Sequence, residues 1–351
     1  FGLVRVELGQ GTSWDTLATN SHLRQRTREL EVKVSAVHEL GRFPVVPALV
    51  DAHSTSERAE IEAAARRTFQ ETLHRWLALA PRREVWLMVH GYHNTFEKPA
   101  MVLAELWHFM GREAVPVLYS WPAGRGGLLR GYAYDRESGE FTVYHLKQCL
   151  RLLAEDPQIE KIHILAHSRG AAVCVAALRE LIIAERAAGR GNGRHLKIGQ
   201  VVLAAPDLDL EVASQRVVAE GVLECMEHLT VYVSSRDKAI WLANWLFDSQ
   251  RRLGNVDLGR LNASERQLIA KVPGVDFIQA DLSSGFLTHS YFYEHPAVVS
   301  DLILVLRDGR PAGAEHGRPL QPVSKNFWRL SADYPGTRRT GGSADVRGNE
   351  K

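Results

Sequence analysis

The run Ile162-His163-Ile164-Leu165-Ala166-His167-Ser168-Arg169-Gly170-Ala171-Ala172 holds the residue types that nucleophilic acyl chemistry needs. An apolar strand-like stretch runs into His-Ser-Arg-Gly and passes at once into a helix of small residues. So sharp a strand-to-helix turn strains the backbone of its serine and presents the hydroxyl at the sheet edge, an arrangement called a nucleophile elbow. The residues two before and two after the serine have to be small, or they collide across the turn. Ala166, where glycine is commoner, and Gly170 meet that need. Ala171, Ala172 and Ala176 let the helix lie close to the sheet. The helix start also directs N–H groups and the positive end of its dipole toward Ser168. Attack by such a serine on a carbonyl carbon forms a covalent acyl-enzyme.

The tetrahedral oxyanion on that path needs two N–H donors, and losing one typically costs about 10²–10³ in rate. Val85-Trp86-Leu87-Met88-Val89-His90-Gly91-Tyr92-His93-Asn94 is an apolar strand ending in His-Gly. Gly91 permits close backbone approach, so the expected donors are the backbone N–H groups of Tyr92 and Arg169. His93 and Trp121 are expected at the substrate pocket. A rival reading takes His90 and His93 as metal ligands. Two histidines three apart without a third partner make a weak metal site, and neither metal nor cofactor is assigned.

A base that closes the order serine, acid, histidine has to follow Ser168. Of His195, His228, His289, His295 and His316, His289 follows the strand-like run Val275–Ala280 and opens the next helix, in Leu287-Thr288-His289-Ser290-Tyr291. His295, further along, reads as a capping or surface residue. Two carboxylates could accept the imidazole N–H and hold its tautomer. Asp237 stands in Ser234-Ser235-Arg236-Asp237, just after one strand, and Asp207 in Ala204-Ala205-Pro206-Asp207, after the strand before it. Asp207 could instead shape the pocket or cap the helix that follows.

These residues have to be positioned by a larger frame. Short runs rich in Val and Ile occur at Leu30–Val37, Val85–His90, Val115–Ser120, Lys161–Ala166, Val201–Ala205, Leu229–Ser234 and Val275–Ala280. They have the character of parallel strands covered on both faces. Helical patterns separate them at Ser56–Ala80, Lys98–Gly111, Thr142–Glu155, Arg169–Ala188, Leu210–Glu224, Ala239–Arg252 and His289–Arg307. The alternation predicts right-handed crossovers and an α/β fold with a mostly parallel central sheet and helices on both faces. Three regions break the pattern. Residues 1–29 read as an N-terminal extension with one edge strand at Leu3–Leu8. Residues 122–141, with Gly124, Gly126, Gly127, Gly131 and Gly139, read as a long loop that forms part of the acyl pocket or a partial lid, or else a mobile surface loop with a solvated basic face. Residues 309–351 read as a largely disordered tail, with Phe327, Trp328 and Leu330 docking its first part. The main domain then spans 30–308.

Composition narrows the function. Lys plus Arg is 43 and Asp plus Glu is 41 in 351 residues, a near-balance that argues against a nucleic-acid binder. No run of roughly 18 apolar residues occurs, so no membrane-spanning helix is expected. Cys149, Cys174 and Cys225 are too few for a disulfide framework and read as buried thiols. The chain begins Phe1-Gly2-Leu3 rather than with methionine, which reads as a cropped or processed start.

A resemblance joins these motifs. His90-Gly91-Tyr92-His93-Asn94-Thr95-Phe96-Glu97, Leu118-Tyr119-Ser120-Trp121-Pro122 and Tyr134-Asp135-Arg136-Glu137-Ser138 resemble the bacterial α/β-hydrolase family long catalogued as a domain of unknown function. His163-Ile164-Leu165-Ala166-His167-Ser168, Ala204-Ala205-Pro206-Asp207, Ser234-Ser235-Arg236-Asp237 and His289-Ser290-Tyr291 continue it in order, over about residues 30–307. The resemblance implies an α/β-hydrolase fold, a serine triad and an esterase or lipase-like activity on a small-molecule ester or thioester. Such folds mostly place the acid after the penultimate strand, which favours Asp237 and leaves Asp207 as the alternative. Arg169 departs from relatives that have a smaller or uncharged residue after the serine. Amide hydrolysis or acyl transfer on the same triad, or a catalytically silent binding protein, are the competing functions.

Overall fold

A computed structural model describes residues 1–22, 31–44, 55–92, 94–124, 128–235, 253–255, 263–280, 288–331 and 334–336. In chain order its elements begin β1 (Gly2–Leu8), α1 (Trp14–His22), β2 (Val32–Glu39), α2 (Thr55–Leu79), β3 (Glu84–Val89), α3 (Glu97–Phe109) and β4 (Val115–Tyr119). They continue with α4 (Leu128–Glu155), β5 (Lys161–His167), α5 (Arg169–Ala187), β6 (Ile198–Ala204), β7 (Met226–Val233), β8 (Val275–Gln279), β9 (Gln321–Ser324) and β10 (Phe327–Arg329).

The apolar runs form strands because both of their faces find a helix layer. Along β3, Val85, Leu87 and Val89 enter one apolar cluster with Leu73 of α2, Leu146 and Leu150 of α4 and Leu178 and Leu181 of α5. Trp86 and Met88 point the other way, into a cluster with Leu103 and Leu106 of α3 and Val298 and Leu302 of the helix Pro296–Leu302. Burial of alternate residues on opposite faces is the expected signature of a covered parallel sheet. Eight strands run in the order β4-β3-β5-β6-β7-β8-β10-β9. All neighbours are parallel except the β9–β10 pair.

That order positions the site. From β3 the chain moves outward to β4, then crosses back to β5 on the other side of β3. A reversal of this kind opens a crevice at the carboxyl ends of the two inner strands. His90-Gly91 leaves β3 there, and Ser168 leaves β5 there.

Several expectations change. The Leu30–Val37 strand is not part of the central sheet. It forms β2, antiparallel to β1 in a separate two-stranded sheet. Exposed Lys33, Ser35 and Val37 alternate with partly buried Val32, Val34 and Ala36, so only one face is covered. Residues 122–141 are not a long loop, because α4 already begins at Leu128. Its side chains reach back to hold the short connection. The Gly124 N–H donates to both carboxylate oxygens of Asp135, at 2.9 and 3.1 Å, and the Ser138 hydroxyl donates to the Pro122 carbonyl. The Leu210–Glu224 pattern breaks into a short α-helix (Leu210–Ala213), a π-helical turn and a 3₁₀ turn. The His289–Arg307 pattern breaks at His295-Pro296, where His295 Nδ1 accepts the Ala297 N–H and caps the next helix. The Ala239–Arg252 pattern lies outside the described residues.

The sequence ends its main domain at 308, but residues 309–331 belong to the central sheet through β9 and β10. A fully buried ion pair ties them in. Arg318 Nε and Nη2 donate to Asp301 at 2.9 and 2.8 Å. The Tyr232 and Tyr334 hydroxyls donate to the same carboxylate at 2.5 and 2.6 Å. Every strong acceptor position of Asp301 is thereby used, as a buried charge requires. Residues 337–351 lie outside the described residues.

Candidate active site

Ser168 is the N-cap of α5 with φ 52° and ψ −123°, and its side chain makes no capping hydrogen bond. A non-glycine residue is rarely held at positive φ, and such strain concentrates at functional positions. The surroundings enforce it. The Ser168 N–H donates to the Ala204 carbonyl at 2.9 Å, and its carbonyl accepts the N–H groups of Ala171 and Asp207 at 3.0 and 3.1 Å. Asp207, 3% exposed, therefore supports the elbow through its backbone. The small-residue requirement is visible in space. A Cβ on Gly170 would sit 2.3 Å from the His90 carbonyl oxygen and 2.7 Å from that of Val89.

The end of β3 passes equally close. A Cβ on Gly91 would meet Ser168 Cβ at 2.7 Å and His167 Nδ1 at 2.9 Å. Tyr92 is the residue that follows this close approach. Arg169 is the first residue of α5, where N–H groups lack intrahelical acceptors. The Arg169 side chain is 12% exposed, its Nε buried without a hydrogen-bond partner, and its Nη2 4.0 Å from Glu140.

His90 is locked beneath this strand end. The Trp121 N–H donates to His90 Nε2 at 3.1 Å, so Nε2 is the unprotonated nitrogen. Nδ1–H then donates to the Gly91 carbonyl at 3.0 Å. Burial, the largest influence, holds the ring below the usual histidine pKa, although these bonds and Asp135 oppose it. With both nitrogens committed, His90 is a neutral structural group and not a metal ligand. The Trp121 indole stacks on it at 5.4 Å and donates to its carbonyl at 2.8 Å. At 3% exposure Trp121 is buried and braces the end of β3 through these contacts. Among the described residues no three His, Cys, Asp or Glu side chains gather as a metal site.

His289 lies in the one-turn 3₁₀ helix Thr288–Ser290, after β8. Its ring is 4.7 Å from the ring of His167, the residue preceding Ser168. The residue preceding Ser168 and the expected base thus meet, although they follow strands three places apart in the sheet. Asp237 and His93 lie outside the described residues, so their side chains are not placed. Sequence reasoning missed the roles of His167, Asp135 and Ser138. All three sat within the motifs quoted for the resemblance, but nothing in their spacing says what they touch.

A parallel sheet with its crevice between β3 and β5, a strained serine there and helices on both faces define an α/β hydrolase fold. The match to known families agrees. The family model described as alpha/beta hydrolase of unknown function (DUF900) matches residues 65–307, and the chain belongs to that family. A search of the curated proteins finds no match. Among solved structures the chain is similar to an uncharacterized protein from Bacillus cereus ATCC 10987, at 14% identity over 72% of this chain and 70% of that one, with a TM-score of 0.41. It is similar to a predicted CIB-like hydrolase from Thermoplasma acidophilum at 14% identity, 65% and 87% coverage and a TM-score of 0.38. It is also similar to the RedJ thioesterase of the prodiginine biosynthetic pathway in Streptomyces coelicolor, at 14% identity, 63% and 85% coverage and a TM-score of 0.33. Similarities this distant carry no functional weight.

Proposed function

We propose that this α/β hydrolase is a serine hydrolase that cleaves a carboxylic ester or thioester through an acyl-enzyme. The observation that carries the reading is the strained Ser168 at φ 52°, facing the glycine backbone of β3's end with its side chain unspent on capping. Ser168 Oγ attacks the carbonyl carbon while His289 takes its proton. The N–H groups of Tyr92 and Arg169 receive the oxyanion. Collapse of the tetrahedral adduct expels the alcohol or thiol, which takes the proton from the His289 imidazolium. Water then attacks the acyl-enzyme with His289 again as base, and the acid leaves. Asp237 orients His289 by accepting its second N–H, with Asp207 as the alternative acid.

The test is Ser168→Ala on a graded series of p-nitrophenyl esters, alongside labelling by a fluorophosphonate probe. The parent enzyme is expected to label at Ser168 and to turn over at least one ester, and the variant to fold and do neither. Turnover undiminished in Ser168→Ala would overturn the mechanism. A parent that resists the probe would move the protein to the silent, binding class.

A further inference from the structure

His167 is a buried titratable group that the triad does not use. It is 9% exposed and closes β5, paired in register with Ala204 of β6. Its Nε2 lies 3.2 Å from the carbonyl oxygen of His289. A carbonyl can only accept, so Nε2 carries the proton and donates. The ring is packed between the His289 ring at 4.7 Å and the Phe292 ring at 4.4 Å. At Nδ1 the end of β3 passes so close that a Cβ on Gly91 would lie 2.9 Å away.

We propose that His167 is the positioning residue of the catalytic base. Its Nε2–H holds the His289 peptide and its ring braces the His289 ring, so that one residue of β5 sets the base against the nucleophile. The inference rests on the serine-hydrolase reading above. The mechanical argument is one of stiffness. His289 is carried on a single 3₁₀ turn, whereas β5 lies inside the sheet between β3 and β6. One peptide bond joins His167 to Ser168. The base-to-nucleophile distance is therefore referred to an interior strand of the sheet. Proton transfer demands heavy-atom distances of about 2.6–3.2 Å, and a misplacement of about 1 Å can cost about 10² in rate.

The group also keeps the protonation state that this role needs. Burial, then the neighbouring His289, hold the His167 pKa well below the usual histidine value, against the backbone bond to His289. The other titratable groups acting on it are His90, neutral at the end of β3, and Lys98 on α3, neither of which favours a proton on His167. A proton on His167 would meet the Lys98 charge and the His289 imidazolium, so it stays a neutral donor while His289 cycles.

Three substitutions test this. The amide nitrogen of glutamine falls near Nε2 of histidine, and that of asparagine near Nδ1. His167→Gln therefore keeps a donor within reach of the His289 carbonyl, whereas His167→Asn and His167→Leu do not. With the best p-nitrophenyl ester, His167→Asn and His167→Leu are expected to lower kcat about 10²-fold with KM within about threefold of the parent. His167→Gln is expected to recover most of that loss. Second-order fluorophosphonate labelling should follow the same ranking. If His167→Leu does not fold, the Asn–Gln pair decides. Equal losses in Gln and Asn, a rise in KM with kcat kept, or no loss at all would each overturn the positioning role. Such results with Ser168→Ala inactive would leave the hydrolase reading intact, while an active Ser168→Ala would sink that reading itself.

Discussion

Gly91→Ala separates a catalytic fault from a folding fault. Gly91 is not among the glycines with positive φ, so alanine's penalty there is spatial. The new Cβ would lie 2.7 Å from Ser168 Cβ, 2.9 Å from His167 Nδ1 and 3.1 Å from the His167 carbonyl oxygen. Carbon atoms in good contact sit about 3.5–4.0 Å apart, so roughly 1 Å of relief is needed. Ser168 cannot retreat easily, because its N–H and its carbonyl are both committed to neighbouring backbone. The relief has to come from the Gly91–Tyr92 segment, which carries the proposed oxyanion donor. A displacement of about 1 Å costs about 10² in rate, and full loss of the donor about 10²–10³, or about 2.7–4 kcal/mol of transition-state stabilisation. Overpacking should lower stability by about 1–3 kcal/mol. The expected result is a folded enzyme with kcat down about 10²–10³-fold and a modest loss of Tm. Steady-state kinetics on a p-nitrophenyl ester, with thermal unfolding on the same sample, measure both. A folded Gly91→Ala with kcat within about threefold of the parent would refute the close approach of the two backbones as the site's organising feature.

Asp237→Asn is expected to lower kcat by about 10⁴ through the wrong imidazole tautomer, and Asp207→Asn far less. The reverse ranking in kcat would move the triad acid to the end of β6. Removing one partner of the Asp301–Arg318 pair strands a buried charge, so Arg318→Met should cost about 3–5 kcal/mol in urea unfolding. A cost under about 1 kcal/mol would mean that residues 309–331 are not tied in through this pair. Acid stability should report on Asp276. Burial pushes its carboxyl up, but hydrogen bonds from His228 and Trp328 and the His228 charge outweigh this and hold it below its usual value. Their contribution is whole above about pH 4, near the unfolded pKa, and is lost as pH falls through the lower native value. Urea unfolding of Asp276→Asn should therefore lose less stability than the parent between about pH 4 and pH 2, and parallel losses would contradict the linkage.

The tight turn at Ser168, the apolar strand ending at His90-Gly91 and the sheet class could be read locally because each depends on a short-range rule. Ser168 needs small residues at fixed offsets, and Ala166 and Gly170 stand at those offsets in any context. The strands β3 to β8 could be read because covered parallel strands are apolar on both faces. The β2 run was apolar too, but Lys33 and Ser35 alternate within it, and that alternation is the mark of a half-exposed antiparallel strand. The glycines of 122–141 pointed to a loop. Gly139 is instead accommodated on α4 where that helix faces Val173 and Arg169 of α5, and Asp135 and Ser138 hold the turn before it.

What the sequence determined by itself was the chemistry that could occur: a serine on a tight turn, a glycine strand end, and histidines and carboxylates in an order that fits a triad. The tertiary structure decided which of these groups meet. His167 and His289 are 122 residues apart, and only the adjacency of β5 to the crevice and the return of the chain after β8 bring their rings to 4.7 Å. The tail was settled the same way. Arg318 looks like a surface charge in a Gly- and Pro-rich segment until Asp301, Tyr232 and Tyr334 surround it. A local pattern encodes periodicity and turn geometry, whereas burial of a polar group depends on partners contributed from elsewhere in the chain.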